Sequence, residues 1–404
     1  MELANKLFKG DRSVWIIFML LCFVSILEVY SASSKFAYKA YYWTPIVKHV
    51  TFMAIGFGVV LVLHNIPSRF FSIAILLLPI SIVLLILTPI FGVSTNEAHR
   101  WLSIFGITFQ PSEFGKLACV VFVAFVLSRQ ERFTPDRSFW IILIGVGLTC
   151  GCIVLDNFST AFLLAAVCFI MMYIGQLPGK KLIITLLVVV GLGAGMFFGF
   201  RSLPKEIVPT RFWTWKERID DFGKDNKDTK FMRTKDNWQV VHSKVAIAQG
   251  GFLGKLPGRS MQKDFLPEAF SDFIYAIIIE EMGLIIGGIG VLMLYVILMF
   301  RVAIIARRCE KLFPKYLALG CGLLIVVQAL INMAVAVNLI PVTGQPLPLI
   351  SRGGTSTILT CCYFGIILSV SRFSAGMGDE ENEPVEPNEQ TDNSLNVESE
   401  TIEP

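Results

Sequence analysis

Long apolar runs separated by short polar segments dominate the pattern of this chain. Ten of them approach the roughly 20 residues that an α-helix needs to cross a hydrocarbon core. They predict membrane-spanning helices near residues 13–31, 46–64, 70–91, 114–128, 139–156, 158–174, 182–200, 272–299, 317–338 and 354–371. The first run has full membrane length and lacks a small-residue cleavage site followed by a soluble domain, so we interpret it as a helix rather than a signal peptide. The pattern predicts an all-α polytopic membrane protein.

The charged residues support this class and set the orientation. Only 16% of the 404 residues are charged, against about a quarter in soluble domains, which excludes a soluble enzyme. Lys and Arg in short loops favour the cytoplasmic side. With ten helices, the basic clusters all fall on one side: Lys6, Lys9, Arg12, Arg69, Arg129, Arg132, Arg137, Lys180, Lys181, Arg301, Arg307, Arg308, Lys311, Lys315 and Arg372. Both termini are therefore predicted to be cytoplasmic.

The cysteines indicate packing rather than chemistry. All nine lie in or beside predicted helices, and none lies in the long loop at 201–271. We therefore expect no disulfide framework in that loop.

Two long segments of the chain are polar: the loop at 201–271 and the C-terminal tail at 377–404. Residues 1–376 form the predicted transmembrane domain, and 377–404 form an acidic tail that we expect to be disordered and cytoplasmic. The loop at 201–271, between the seventh and eighth helices, lies on the non-cytoplasmic side. It carries fourteen Lys or Arg against nine Asp or Glu. This excess fits an anionic ligand at the outer face, or contact with anionic lipid head groups.

Asp272 is the sharpest candidate for chemistry. It stands where the long loop enters a strongly apolar helix, so its carboxylate is expected at the outer interface. Partial desolvation there would suit a general base. Equally, Ser271 and Asp272 are residue types that cap helix N-termini. Position alone does not separate these interpretations.

Other ionisable residues at membrane depth are secondary candidates. Glu113 and Lys116 share a helix face and form either a structural ion pair or a site for a bound phosphate. For Glu280 and Glu281 we favour structural pairing inside the bundle, and Asp156 at a helix junction is similar. Arg352 lies in a Pro- and Gly-rich break between two helices, where it could bind an anion or anchor the chain at the interface.

Three motifs together resemble one family. The first is Arg100-Trp101 with Gln110-Pro111-Ser112-Glu113 and Lys116. The second is Gly250-Gly251, Gly254, Gly258, Ser260, Gln262-Lys263, Leu266-Pro267-Glu268-Ala269, Asp272-Phe273, Glu280-Glu281 and Gly283. The third is Asn332, Pro341, Gly344, Leu347-Pro348, Ile350-Ser351 and Gly353-Gly354. In this order they resemble the SEDS proteins (shape, elongation, division and sporulation) over nearly the whole chain except the tail.

The resemblance implies a peptidoglycan glycosyltransferase of the bacterial cytoplasmic membrane. Such an enzyme polymerises lipid II, a lipid-linked disaccharide peptide, with a class B penicillin-binding protein and other divisome proteins as partners and without nucleic acid. The family's essential aspartate falls on Asp272, and details near Ala269 look more like the division branch, at the septum, than the elongation branch. Phe270, Arg352 and Asn157 depart from the family pattern.

The same reading assigns roles to further residues. Substrate binding is expected of Arg100, Glu113, Lys116, Arg211, Ser260, Gln262, Lys263 and Arg352. Supporting roles are expected of Asp156, Glu268, Glu280 and Glu281. A divalent cation such as Mg²⁺ or Mn²⁺ could help to stabilise the departing pyrophosphate, with its ligands left unassigned. No organic cofactor is expected.

A lipid II flippase is the alternative function. Polytopic architecture, intramembrane acids and a basic outer loop suit a transporter as well. A transporter should expose matched polar sites to both faces, often in two related halves. The motifs instead cluster on the outer side and no repeated half is evident, which favours the enzyme.

Overall fold

The computed structural model describes residues 8–32, 44–95, 98–104, 107–154, 157–201, 213, 216, 218, 222, 238–266 and 270–380. Its helices are α1 (Arg12–Ala32), α2 (Thr44–Leu63), α3 (Leu77–Phe91), α4 (Pro111–Ser128), α5 (Pro135–Val154), α6 (Phe158–Ile174), α7 (Gly179–Arg201), α8 (Trp238–Gly250), α9 (Ile274–Met282), α10 (Val291–Arg308), α11 (Leu312–Ala336) and α12 (Thr355–Glu380). A 3₁₀-helix, Ser68–Leu76, leads into α3, and a π-helix, Gly283–Gly290, leads into α10. The predicted tail after residue 380 lies outside the described residues.

The helices form where the apolar runs predict them. Eight segments are long and apolar enough to cross a membrane, and α6 is a shorter apolar helix of 17 residues. With the 23-residue α7, the prediction of about ten spanning helices is confirmed. A polar side chain caps the N-terminus of α1: the Asp11 carboxylate accepts hydrogen bonds from the backbone N–H groups of Ser13 and Val14.

The predicted helical fold is confirmed, and the loop between α3 and α4 adds one small sheet to it. Strands β1 (Val93–Thr95), β2 (Ala98–Ile104) and β3 (Ile107–Phe109) form an antiparallel sheet in the order β1-β2-β3. Thr95 pairs with Ala98, and Ile104 pairs with Ile107. The backbone N–H and C=O groups of this segment thus find hydrogen-bond partners in the neighbouring strand.

Helices α4 and α11 form the centre of the bundle. Their side chains are buried on nearly every face, and α11 packs against α4, α10 and α12. Helix α7, by contrast, exposes most of its apolar side chains, including Leu187 and Leu192. In a bilayer these exposed positions face lipid. All nine cysteines are free, and each is buried or partly buried.

The predicted helix 272–299 is wrong in shape, because the chain reverses within it. Gly283 adopts a φ of +79°, and α9 then lies antiparallel to the π-helix that follows. The Tyr275 hydroxyl donates to the Gly288 carbonyl oxygen at 3.0 Å. Thirteen residues of straight α-helix would separate these two by about 20 Å. Residues 270–282 therefore re-enter the bundle instead of beginning a membrane crossing.

Two helix lengths, measured from the cytoplasmic ends of α1 and α10, place this reversal at the outer membrane boundary. Asp11, at the start of α1, forms an ion pair with Arg301, which marks the cytoplasmic boundary. Gly283 lies 18 residues before Arg301, or roughly 27 Å along the helix. Ser31 lies 20 residues after Asp11, or roughly 30 Å, and its hydroxyl donates to Glu281. Both distances match a hydrocarbon core of about 30 Å.

Candidate active site

Asp272 lies at the inner end of the re-entrant segment. Ser25 is six residues below Ser31 on α1, or roughly 9 Å deeper, and its hydroxyl donates to the Ile350 carbonyl oxygen at 2.9 Å. Two residues further, the backbone N–H of Arg352 donates to the Phe270 carbonyl oxygen at 2.9 Å. Asp272 is therefore roughly 10 Å below the outer boundary, deeper than the interface position expected from the sequence.

The Asp272 side chain is half-buried and does not cap a helix. Phe273 is the N-cap residue of α9, and no side-chain hydrogen bond caps this helix. The capping interpretation is therefore wrong. The Ser271 hydroxyl donates to Asp272 Oδ1 at 3.1 Å. A Cβ atom at Gly344 would lie 3.6 Å from Asp272 Oδ2, so glycine there leaves space beside the carboxylate.

Long-range hydrogen bonds fix the backbone around Asp272. The Asn332 side-chain amide donates to the Asp272 carbonyl oxygen at 2.9 Å and to the Gln345 carbonyl oxygen at 2.7 Å. The Ser351 hydroxyl donates to the Ser271 carbonyl oxygen at 2.6 Å. Asn332 is buried, so these bonds act in a region of low dielectric constant. Helix α11 and the loop before α12 thus hold the acidic segment in place.

Glu113 and Lys116 form a buried ion pair, one of the two arrangements considered from the sequence. Lys116 Nζ lies 2.7 Å from Glu113 Oε1 and donates to Gln328 Oε1 at 2.8 Å. Gln328 Nε2 in turn donates to the Pro346 carbonyl oxygen at 3.0 Å. Lys116 is fully buried. The pair therefore supports the loop around Pro346 through α11, and its role in phosphate binding stays a prediction.

Glu280 and Glu281 hold the outer loop against the end of α9. Glu280 accepts hydrogen bonds from Lys255 Nζ at 2.8 Å and from the Ser260 hydroxyl at 2.5 Å. Glu281 accepts from the backbone N–H groups of Gly258 and Ser260. Both carboxylates are fully buried and fully engaged. Glu280 thus forms an ion pair with Lys255, whereas the partners of Glu281 are N–H groups and the Ser31 hydroxyl. The supporting role of both residues stays a prediction.

Ser260, Gln262 and Lys263 are all buried within this outer loop. Gln262 Oε1 lies 2.6 Å from His242 Nδ1 on α8, and Lys263 Nζ donates to the Gly258 carbonyl oxygen at 2.7 Å. Their polar groups thus bind neighbouring segments of the loop. Their predicted contacts with substrate stay predictions.

Arg352 and Phe270, the two departures from the family pattern near Asp272, contact each other. The Arg352 guanidinium lies over the Phe270 ring, 5.4 Å from its centroid. Such a cation–π contact holds the guanidinium beside the re-entrant segment while its N–H groups keep their donor capacity. Arg352 is thus a half-buried cation that lies beside the acidic segment in space, although 80 residues of chain separate it from Asp272.

Several predicted site residues are not described. Asp156, Arg211 and Glu268 lie outside the described residues, as does the side chain of Arg100 on β2. Arg218 in the same long loop is described, and its guanidinium donates to the Val342 carbonyl oxygen at 3.0 Å. This contact brings one basic residue of the long loop to the loop that packs around Asp272.

Sequence reasoning missed three polar residues. Asn332 stands out in the sequence only as part of a motif, and no pattern in the sequence singles out Gln328. Glu28 on α1 is fully buried, and its two carboxylate oxygens have no hydrogen-bond partner within the described part of the chain. An acid inside an apolar run of membrane length is costly, and that signal could have identified Glu28.

The site offers oxygen ligands but no preformed metal cluster. Within the described ranges, no group of three or more His, Cys, Asp or Glu is arranged to hold a metal ion. Asn332 Oδ1 and Gln345 Oε1 are buried acceptors without a hydrogen-bond donor among those residues. Oxygen ligands of this type suit Mg²⁺ when substrate phosphates supply the rest of its shell. A weakly held divalent cation therefore fits the residues present.

The fold and site define a polytopic membrane protein with a carboxylate on a re-entrant segment of its outer half. The cell cycle protein family that includes FtsW, RodA and SpoVE matches residues 11–376. The chain belongs to this family.

Individual relatives match over most of their length. A probable peptidoglycan glycosyltransferase FtsW of Saccharophagus degradans is 32% identical over 373 residues, covering 89% of this chain and 92% of the relative. Stage V sporulation protein E of Bacillus subtilis is 30% identical over 387 residues, covering 92% and 100%.

Solved structures share the fold at lower identity. A chain of a peptidoglycan synthase complex, from a study of coordinated polymerization and crosslinking, superposes with a TM-score of 0.70 at 21% identity, covering 90% of this chain and 98% of that chain. The rod shape determining protein RodA of Thermus thermophilus superposes with a TM-score of 0.63 at 20% identity, covering 90% and 97%.

Proposed function

We propose that this protein is a peptidoglycan glycosyltransferase that polymerises lipid II at the outer face of the cytoplasmic membrane. The observation that carries the proposal is Asp272, a half-buried carboxylate fixed by α11 and the loop before α12. Relatives that match about nine-tenths of the chain bear the name probable peptidoglycan glycosyltransferase FtsW. The position in the outer half suits a substrate with an embedded lipid tail and an external sugar.

Asp272 acts as the general base. Its carboxylate takes the proton from the attacking sugar hydroxyl of one lipid-linked disaccharide. The oxygen then forms a bond to the anomeric carbon of the growing glycan, and the bond from that carbon to lipid pyrophosphate breaks. A single displacement inverts the configuration at that carbon. One carboxylate suffices because pyrophosphate leaves without protonation.

Positive charge stabilises the departing pyrophosphate. Arg352 is the cation that we propose for this role, because its backbone N–H donates to the carbonyl oxygen of Phe270, two residues before Asp272. Arg100, Arg211 and Lys263 are further proposed ligands, and a divalent cation held by Asn332 Oδ1, Gln345 Oε1 and phosphate oxygens would add charge neutralisation. Losing one such contact would lower the rate by roughly 10²–10³ if it acts in the transition state.

The proposed setting is septal wall synthesis in dividing bacteria. Several relatives named FtsW support the division branch, and a sporulation relative is equally similar. We propose a class B penicillin-binding protein as partner, with other divisome proteins nearby. A structural relative that belongs to a peptidoglycan synthase complex supports this pairing.

The test is glycan polymerisation from purified lipid II. The wild-type protein is assayed with a penicillin-binding partner that lacks transpeptidase activity, beside Asp272→Asn and the control Asp264→Asn, an exposed acid of the same outer loop. We expect polymer from the wild type and the control and none from Asp272→Asn. A general base contributes roughly 10²–10⁴-fold, so the loss should reach the detection limit. Retained activity in Asp272→Asn would sink the general-base role.

The flippase alternative is tested with the same preparations. Lipid II is placed in one leaflet of liposomes, and its appearance in the other leaflet is measured. Transport without polymer formation by the wild type would favour the flippase and overturn the proposal.

A further inference from the structure

The tip loop, Gly251–Leu256, exposes large apolar side chains just after α8. Leu253 is 82% exposed and Phe252 is 71% exposed, and Leu256 is exposed as well. An exposed apolar cluster of this kind marks a surface that contacts lipid or another molecule. Backbone hydrogen bonds join the tip loop to residues 280–285 and hold its apolar side chains toward the outside of the bundle. These hydrogen bonds also show at which depth the cluster lies.

The tip loop lies at the outer membrane boundary. The backbone N–H of Leu284 donates to the Gly251 carbonyl oxygen at 2.9 Å, and that of Ile285 donates to the Phe252 carbonyl oxygen at 3.4 Å. These partners adjoin Gly283, which is roughly 27 Å above the cytoplasmic Arg301 along the helix. Phe252 and Leu253 are therefore level with the top of the hydrocarbon core.

The apolar cluster continues the lipid-facing surface of the bundle. Ile285, Ile286 and Ile289 of the π-helix are exposed directly below the tip loop. Arg259, a few residues further, is exposed and basic, and a side chain of this type can place its charge among lipid phosphates. Apolar side chains beside a basic residue at this level are typical of an interfacial membrane anchor.

We propose that the tip loop is a membrane anchor whose Phe252 and Leu253 side chains insert into the outer leaflet. The occupant of this surface is phospholipid, because the cluster is continuous with positions that face hydrocarbon. The anchor also bears on the active site. The backbone N–H groups of Lys255 and Leu256 donate to the Glu280 and Glu281 carbonyl oxygens at 3.0 and 2.8 Å. Anchoring this loop therefore fixes the depth of α9 within the membrane.

The test places a photoreactive benzophenone amino acid at position 252, 253 or 264 of the full-length protein in native membranes. Position 264 is a control, because Asp264 is an exposed charged residue of the same outer loop. The membranes contain radiolabelled phospholipid, and the adducts are counted after illumination. Burying one apolar side chain favours the inserted state by roughly ten- to a hundredfold. We therefore expect roughly tenfold more lipid adduct at 252 and 253 than at 264.

Two outcomes would overturn the anchor. Equal lipid labelling at all three positions would show that the tip is no closer to lipid than the charged control. Adducts with another protein at 252 and 253, without lipid adducts, would assign the surface to a protein partner. Position 253 keeps the test decisive if 252 disturbs the fold, because the Leu253 side chain has almost no packing to lose.

Discussion

The side-chain amide of Asn332 donates hydrogen bonds to two backbone carbonyl oxygens, those of Asp272 and Gln345. Replacement by leucine keeps the approximate volume but leaves both buried carbonyls without this donor. We expect kcat of polymerisation to fall by roughly a hundredfold while KM changes little, because a displaced base misses its geometry. Steady-state kinetics on lipid II would measure both constants.

The control for this variant is Leu330→Ala, on the exposed face of the same helix. It should leave both constants close to the wild type. A raised KM with an unchanged kcat in Asn332→Leu would mean that Asn332 binds substrate and does not position Asp272.

The Glu113–Lys116 pair can be assigned by a double-mutant cycle. Glu113→Gln or Lys116→Met alone leaves one buried charge unpaired, which costs about 3–5 kcal/mol. We expect each single variant to lower the thermal unfolding midpoint in detergent, and the double variant to recover most of the loss. Recovered polymerisation in the double variant would indicate a structural pair. A stable but inactive double variant would support the predicted contact with a substrate phosphate.

At the scale of elements, the reversal between α9 and the π-helix depends on Gly283. A Cβ atom there would lie 2.4 Å from the Phe252 carbonyl oxygen and 2.6 Å from the Gly254 nitrogen, and φ is +79°. Gly283→Ala should therefore displace the outer loop, lower the unfolding midpoint and reduce polymerisation. Gly290→Ala is the matched control, because its Cβ would meet only the Ile285 carbonyl oxygen at 3.5 Å. Equal effects of the two variants would contradict this account of the reversal.

At the scale of the whole molecule, the orientation follows from the basic loops. Cysteine replaces Arg259 in the outer loop or Glu310 between α10 and α11, both exposed positions. A membrane-impermeant maleimide applied to cells with a permeabilised outer envelope should label Arg259→Cys and spare Glu310→Cys. The native cysteines are buried or partly buried in the bundle, so background labelling should be low. Labelling of Glu310→Cys alone would show that the protein has the opposite orientation in the membrane.

Much of the architecture could be predicted from the sequence, for a physical reason. Backbone groups in hydrocarbon must be satisfied within their own segment, so each crossing is a long apolar run that is visible in one dimension. Asp272 could be singled out as an acid at the start of such a run. The small sheet at 93–109 could not be predicted, because strands of three to seven residues are too short to produce a recognisable apolar run.

The sequence by itself determined the spanning helices, their orientation and the acid most suited to chemistry. Only the tertiary structure decided the depth of Asp272 and the identity of the residues that hold it. Apolarity does not distinguish a crossing from a re-entrant hairpin, so the sequence predicts a single helix over 272–299. The supporting contacts join residues far apart in the chain, such as Ser351 with Ser271 and Lys116 with Gln328. Such pairings arise only when the helices pack, because no local pattern encodes which distant partner a buried polar group will find.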